Sequence, residues 1–185
     1  MIFLLNYFYT FVKNQIYYGS RFRNRRIPNR RYMRSDICGP PLRSVNHSRT
    51  IQRISTYLER YDDTYDILPE LEMRLNGKPV KPDVSVYPNL SEDWDTDIIF
   101  ITEPPIIAIE VLSPKQAMSD LTDKTNNIYF PAGVQSVWIV VPLLQTVTIR
   151  TPNGKKLTFS EGIIKDPIIG IEIPFDQIFR KTRLF

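Results

Sequence analysis

The sequence has few side chains that could bind a metal through sulfur or imidazole: one cysteine, Cys38, and one histidine, His47, among 185 residues. A single cysteine excludes an internal disulfide and a cysteine-based zinc site. Because no disulfide demands an oxidising compartment, we expect a cytoplasmic protein. The lone histidine predicts a structural residue near the start of the first helix.

A hydrophobic run long enough to cross a membrane is also missing. The most apolar stretch, residues 2–12, is interrupted by Asn6 and Thr10 and is far shorter than the ~20 residues of a spanning helix. Its positive charges follow the apolar run, whereas a signal peptide carries them in front. We therefore expect no membrane partner.

Acidic residues are scarce at the beginning of the chain. Residues 1–53 hold Lys13 and ten arginines against Asp36 alone, although the net charge of the whole chain is only +4. We expect residues 1–39 to be a basic, poorly ordered extension, or the result of a chain start assigned too early, with Met33 as the true start. Residues 40–185 should form the folded domain, and the arginines either bind phosphates or are an incidental basic tail.

The spacing of apolar residues predicts the order of helices and strands. Helices are expected over residues 47–61 and 115–129, and Asn76-Gly77 predicts a tight turn between strands at 71–75 and 79–87. Buried strands are expected at 106–112 and 137–141, followed by a hairpin of strands at 145–151 and 155–159 and a short strand near Ile171. The order α-β-β-β-α-β-β-β predicts an α/β (α+β) fold with one mixed β-sheet flanked by helices.

Two carboxylates, Asp83 and Glu110, lie within strands that are otherwise rich in valine and isoleucine. A carboxylate in such a strand is costly unless it is paired, protonated or bound to metal. Two carboxylates on adjacent strands repel each other, and a divalent cation removes that repulsion. Because oxygen ligands of this kind favour Mg²⁺ or Mn²⁺, the pair predicts a metal site suited to phosphodiester cleavage.

A lysine completes such a site by orienting the attacking water or by stabilising developing negative charge. The usual pattern places it two residues after the glutamate, where this sequence has Leu112. The next helix offers Lys124 instead, one turn after Asp120 on the same face. We predict that Leu112 points to the same side of the sheet as Glu110 and that Lys124 reaches Glu110 from the helix.

Four segments share residues and spacing with a known family: PDV at 82–84, IEVLSP at 109–114, the helix that carries Asp120, Lys124 and Tyr129, and GVQSVWIVVP at 133–142. Over about residues 40–181 the chain resembles the Uma-type restriction endonucleases. That family is bacterial and belongs to the PD-(D/E)XK nuclease superfamily. The resemblance implies a restriction-endonuclease-like fold and metal-dependent hydrolysis of DNA, with DNA and a second copy of the chain as partners.

The resemblance also implies roles for individual residues. Catalysis is assigned to Asp83, Glu110 and Lys124, metal binding to Asp83, Glu110 and Val111, and accessory contacts to Asp120, Tyr129 and Glu70. Two departures weaken the match: an arginine-rich stretch near residues 32–41 replaces a glutamate-bearing hairpin, and Lys124 and Tyr129 lie five residues apart instead of four. The alternative function is a catalytically inactive nuclease-fold protein that binds nucleic acid or another partner.

Simpler interpretations of the same residues stay open at this point. Asp83 would be a turn residue after Pro82, and Glu110 would form a structural ion pair with Arg74. Asp120 would be a residue of the first helical turn, which the helix dipole favours.

Overall fold

The structure, a computed structural model, describes residues 43–90, 94–96 and 98–180. The expected basic extension, residues 1–39, lies outside the described residues. The helices are α1 (Val45–Leu58), α2 (Met118–Lys124), α3 (Phe130–Ala132) and α4 (Phe175–Ile178). A 3-10 turn, Glu59–Tyr61, follows α1, and a π-helical turn, Thr125–Tyr129, joins α2 to α3. Among the described helices, none has both the length and the apolar character needed to cross a membrane.

The strands form one mixed sheet and two small hairpins. In chain order they are β1 (Tyr65–Pro69), β2 (Met73–Leu75), β3 (Lys78–Val80), β4 (Val84–Pro88), β5 (Ile107–Val111), β6 (Ser136–Val141), β7 (Thr146–Arg150), β8 (Lys156–Phe159), β9 (Ile163–Lys165) and β10 (Glu172–Pro174). The six-stranded sheet has the order β1-β4-β5-β6-β7-β8, in which β5 and β6 are parallel and the other neighbours antiparallel. The predicted fold class, a mixed sheet flanked by helices, is confirmed.

The structure adds strands to the predicted order. The sequence pattern does not predict β1, because its first four residues are all half-buried and show no alternation between buried and exposed positions. The strand expected at residues 79–87 is two strands, β3 and β4, in different sheets. Lys81, Pro82 and Asp83 separate them, since proline has no N–H to donate to a ladder and interrupts the pairing there.

Strand β5 lies at the centre of the sheet with all five residues buried. On one face, Ile109 joins a core that includes Ile54 and Leu58 of α1. On the other, Ala108 joins a core that includes Leu121 of α2. Because side chains alternate along a strand, Glu110 projects on the second face, toward α2.

A buried carboxylate, Asp166, connects strand β6 to the loop that follows β9. Asp166 is 1% exposed, and its Oδ2 accepts hydrogen bonds from Ser136 Oγ at 2.6 Å and from Trp138 Nε1 at 2.8 Å. Its Oδ1 accepts from the backbone N–H groups of Ile168 and Ile169. One side chain therefore satisfies four donors between β6 and the loop after β9.

We expect Asp166→Ala to lower the free energy of unfolding by about 3 kcal/mol, because the buried indole and hydroxyl donors would lose their acceptor. Urea denaturation of the variant and of Asp63→Ala, a change at an exposed turn residue, measures the effect. Equal stability of the two variants would show that water replaces the lost acceptor.

Candidate active site

Asp83 lies in the bend directly before β4, not within the strand as expected, and it is next to Glu110 of the neighbouring strand β5. In the antiparallel pair of β4 and β5, Val84 is the partner of Ile109. Extending that register by one residue places Asp83 opposite Glu110. Directly opposite residues project on the same face of a sheet, with Cβ atoms about 5 Å apart. The register therefore brings the two residues side by side at the end of β5, with Asp83 in the bend that leads into β4.

Asp83 is held by the backbone around it. Its Oδ2 accepts a hydrogen bond of 2.7 Å from the Val111 N–H, and its carbonyl oxygen accepts one of 3.1 Å from the Glu70 N–H. The imidazole Nε2 of His47 lies 3.4 Å from the same Oδ2. These contacts fix the carboxylate at the strand end, so Asp83 is more than a turn residue that follows Pro82.

Glu110 is 5% exposed, and its Oε1 accepts two hydrogen bonds from the helix side. Lys124 Nζ donates one at 2.5 Å and the Tyr129 hydroxyl donates the other. Burial raises the pKa of Glu110, the neighbouring charge of Lys124 opposes that rise, and the charge of Asp83 adds to it. The net effect is a raised pKa, so the negative charge of Glu110 is held at an energetic cost.

Tyr129 is fully buried and keeps its proton. Burial raises its pKa well above the ordinary value, and the charge of Glu110 raises it further. A protonated phenol is a hydrogen-bond donor, so Tyr129 can hold Glu110 over the whole ordinary pH range.

Lys124 lies at the end of α2, where the sequence predicts a lysine that reaches back to Glu110. Its ammonium also donates to the carbonyl of Lys81 at 3.2 Å and lies 5.2 Å from the ring centre of Tyr129. Leu112 packs in the same core cluster as Ala108, the side toward which Glu110 projects, as predicted. The contact thus follows the predicted geometry, while the catalytic role of Lys124 stays a prediction.

The five-residue spacing from Lys124 to Tyr129 is explained by the π-helical turn between them. A π turn closes with i to i+5 hydrogen bonds and takes up one extra residue. The Phe130 N–H accordingly donates to the Thr125 carbonyl. Both side chains consequently reach the same oxygen of Glu110, and the departure from the expected spacing leaves the site geometry intact.

The accessory residues have other contacts. Asp120 is exposed, and its Oδ2 accepts a hydrogen bond of 3.1 Å from the Ala117 N–H at the start of α2. The Glu70 carboxylate forms an ion pair with Arg43, although its backbone touches Asp83. In the described residues, no group of three or more histidine, cysteine, aspartate or glutamate side chains is arranged to hold a metal. Accessory roles for both residues stay predictions.

Arg74 does not pair with Glu110. Its guanidinium lies 5.1 Å from the ring centre of Phe100, and Lys124 takes the position of the ion-pair partner. Sequence reasoning placed His47 at the first turn of α1, where it lies, but missed its contact with Asp83. No pattern in the sequence signals that contact, because it joins residues far apart in the chain.

Replacing Glu110 by glutamine should stabilise the metal-free protein. Since the folded-state pKa is raised above that of the unfolded chain, the folded state loses stability as pH rises from about 4.3 through the folded pKa. We expect Glu110→Gln to raise the melting temperature at pH 8 by about 2–4 °C, equivalent to ~1 kcal/mol, and by less at pH 5.

Thermal unfolding with a chelator present measures this shift, and Glu161→Gln, at an exposed position, is the control. A lower melting temperature for Glu110→Gln would mean that the bonds from Lys124 and Tyr129 outweigh the cost of burial.

Comparison with solved structures supports the fold. A crystal structure of a nuclease-like protein, described as "a putative nuclease belonging to DUF820 from Anabaena variabilis ATCC 29413", matches with a TM-score of 0.65 at 20% identity, covering 75% of this chain and 83% of that one. A cryo-electron microscopy structure of a DrdV–DNA complex matches with a TM-score of 0.37 at 12% identity, covering 58% of this chain and 9% of that one. The curated proteins contain no match.

The family comparison covers most of the chain. The model of the Uma2 family, described as "Putative restriction endonuclease", matches residues 28–170. The matched region starts inside the predicted extension, so the family resemblance reaches further toward the N-terminus than the predicted boundary at residue 40. It includes Asp83, Glu110, Lys124 and Tyr129. The chain therefore belongs to the Uma2 family of restriction-endonuclease-like proteins.

Proposed function

We propose that this protein is a metal-dependent endonuclease that hydrolyses phosphodiester bonds in DNA. The observation that carries the proposal is the convergence of Lys124 on Glu110 opposite Asp83. A lysine from a helix thereby stands where the usual pattern has a lysine from the strand. Membership of a restriction-endonuclease family supports the same activity.

The carboxylates suit Mg²⁺ or Mn²⁺. The hydrogen bonds of the described residues use Asp83 Oδ2 and Glu110 Oε1, which leaves Asp83 Oδ1 and Glu110 Oε2 as oxygens for a cation. One or two carboxylates with waters and substrate phosphates are what Mg²⁺ ordinarily takes. Burial raises the pKa of Glu110 and the charge of Asp83 adds to the rise, so a cation bound here would offset the cost of the buried negative charge. The Val111 carbonyl is the proposed third protein ligand.

The residues around the two carboxylates would have different roles in the reaction. A cation held here would supply an acidified water and neutralise phosphate charge. The Lys124 side chain is 23% exposed, so its ammonium can reach a water or a phosphate oxygen while it stays paired with Glu110. The Tyr129 hydroxyl and the Val111 N–H keep Glu110 and Asp83 in position.

The second candidate is a nuclease-fold protein that binds nucleic acid or another partner without cutting it. It is favoured by the lack of a third carboxylate beside the pair among the described residues. The two functions differ in one respect: only the first requires the charge of Asp83.

Incubation of supercoiled plasmid DNA with Mg²⁺, Mn²⁺ or a chelator tests the proposal. Wild type should convert the plasmid to nicked or linear forms only with the cations, and Asp83→Asn should not. Binding of DNA without cleavage under every metal condition would favour the second candidate. A homodimer would place two such sites across one duplex. The homodimer stays a prediction, which a measurement of the protein's size in solution would test.

A further inference from the structure

A groove on the outer face of α1 carries arginines that form no ion pair with a carboxylate of the described residues. It has a volume of about 400 Å³ and lies between α1 with its 3-10 turn and the end of α4. The residues that line it include Arg53, Arg60, Arg180, Gln52, Thr56 and Gln177.

The hydrogen-bond partners of these arginines are neutral. Arg53 donates to the carbonyl of Ile178 at 2.8 Å, and Arg180 donates to Gln177 Oε1 at 2.9 Å. Arg60 donates to the Tyr57 hydroxyl and lies 3.6 Å from the centre of that ring. In the part of the chain that the structure describes, the ion pairs involve other basic residues. The guanidinium groups are therefore held in place by neutral partners, and among the residues that the structure describes no carboxylate pairs with them.

The arginines are close enough to act on one another. Burial lowers the pKa of Arg53, and the charges of Arg180 and Arg49 lower it further. Like charges gathered without a counterion destabilise a fold slightly. Such a cluster gains stability when an anion with several charges binds it.

Spacing and composition identify the kind of anion. Arg49 and Arg53 lie four residues apart on α1, about 6 Å along the axis, and Arg60 follows two turns later. Arginine, glutamine, threonine and tyrosine are the side chains that contact phosphates and sugars in protein–DNA complexes. None of the large exposed hydrophobic side chains of the described residues lines the groove, which argues against a membrane surface or an apolar peptide.

We propose that this groove binds the phosphate backbone of a nucleic acid strand, and that the strand runs along α1 toward its first turn, beside Asp83. His47, in the first turn of the same helix, lies 3.4 Å from Asp83 Oδ2. Arg49 lies two residues after His47, about 3 Å along a helix, and Arg60 lies thirteen residues after His47, about 20 Å along a helix. The direction toward the carboxylates rests on the proposed function, whereas binding in the groove does not.

The test measures binding of the full chain to a labelled DNA duplex by fluorescence anisotropy, with a chelator, between 50 and 200 mM salt (~0.05–0.2 M). Arg53→Gln, Arg60→Gln and Arg180→Gln are combined in one variant. Lys78→Gln, Lys155→Gln and Lys156→Gln, all exposed and outside the groove, form a control with the same change in charge. Arginines in residues 1–42 contribute equally to every protein compared.

We expect the groove variant to lose on the order of tenfold in affinity for each lost phosphate contact near 0.1 M salt, and its slope of log affinity against log salt to fall by about 2–3. The control should stay within about threefold of wild type. A second variant, Arg60→Gln with Arg180→Gln, changes exposed side chains only and keeps the Arg53 contact with α4. This second variant should show about two thirds of the loss in log affinity and of the fall in salt slope, and its melting temperature should be unchanged.

Equal losses in groove variant and control would overturn the proposal, as would wild-type binding by both groove variants. Groove-dependent binding of vesicles that contain phosphatidylserine, without an effect on DNA, would overturn it in favour of a membrane partner. Binding is measured without metal, so a failure of cleavage leaves this result unaffected. In the converse outcome, the wild type cleaves DNA while the groove variants bind DNA as tightly as the wild type. That result would support the proposed function and show that the groove takes no part in it.

Discussion

The Asp83→Asn protein should cleave plasmid DNA in Mg²⁺ at least ~1,000-fold more slowly than wild type. Asparagine preserves the side-chain shape and can keep an acceptor oxygen for the Val111 N–H, which lies 2.7 Å from Asp83 Oδ2. It removes one of the two charges that would hold the cation. Loss of the charge stabilisation that a cation supplies costs several kcal/mol in the transition state, and ~4 kcal/mol corresponds to that factor.

A second measurement separates metal binding from loss of fold. A ligand that binds only the folded state raises its stability, so Mg²⁺ or Mn²⁺ should raise the melting temperature of wild type and leave that of Asp83→Asn unchanged. Asp63→Asn, at an exposed turn residue, should behave as wild type in both assays. Cleavage by Asp83→Asn at the wild-type rate would exclude Asp83 from the catalytic centre.

The Lys124→Ala protein should cleave DNA about 100–1,000-fold more slowly and bind it with an affinity within about threefold of wild type. Removing one preorganised charge or donor from a reacting centre typically costs that factor in rate. The ammonium is paired with Glu110 and the Lys124 side chain is only 23% exposed, so it contributes little to the long-range attraction of DNA.

Lys115→Ala is the matched control, because Lys115 is an exposed lysine shortly before α2. Binding is measured with Ca²⁺ in place of Mg²⁺, and single-turnover cleavage is measured with Mg²⁺. Parallel losses of binding and cleavage in Lys124→Ala would assign this lysine to substrate affinity instead of chemistry.

Local patterns were sufficient for the centre of the sheet. Glu110 is the one charged residue in a strand whose other residues are apolar and buried, and Asp83 directly precedes the buried residues of β4. The tight turn at Asn76-Gly77 and the two strands around it follow from residues that accept positive φ. Such features depend on neighbours in the chain, so the sequence carries them directly.

Features that depend on distant residues were missed. The contact of His47 with Asp83 and the gathering of Arg53 with Arg180 require the folded chain. Arg49 and Arg53 count toward the basic N-terminal segment in the sequence, yet both belong to α1 of the folded domain. The positive charge is therefore not confined to the N-terminal extension.

The π-helical turn explains how the site withstands a change in chain length. One extra residue in a continuous α-helix would rotate everything beyond it by about 100°, and Tyr129 would leave Glu110 while Lys124 remained. Here the surplus is taken up within the turn, where Asn126 and Asn127 are exposed and Thr125 and Tyr129 stay buried. The regular orientation of the helix is restored before α3 begins, so an extra residue at this point does not move Tyr129 away from the Glu110 carboxylate.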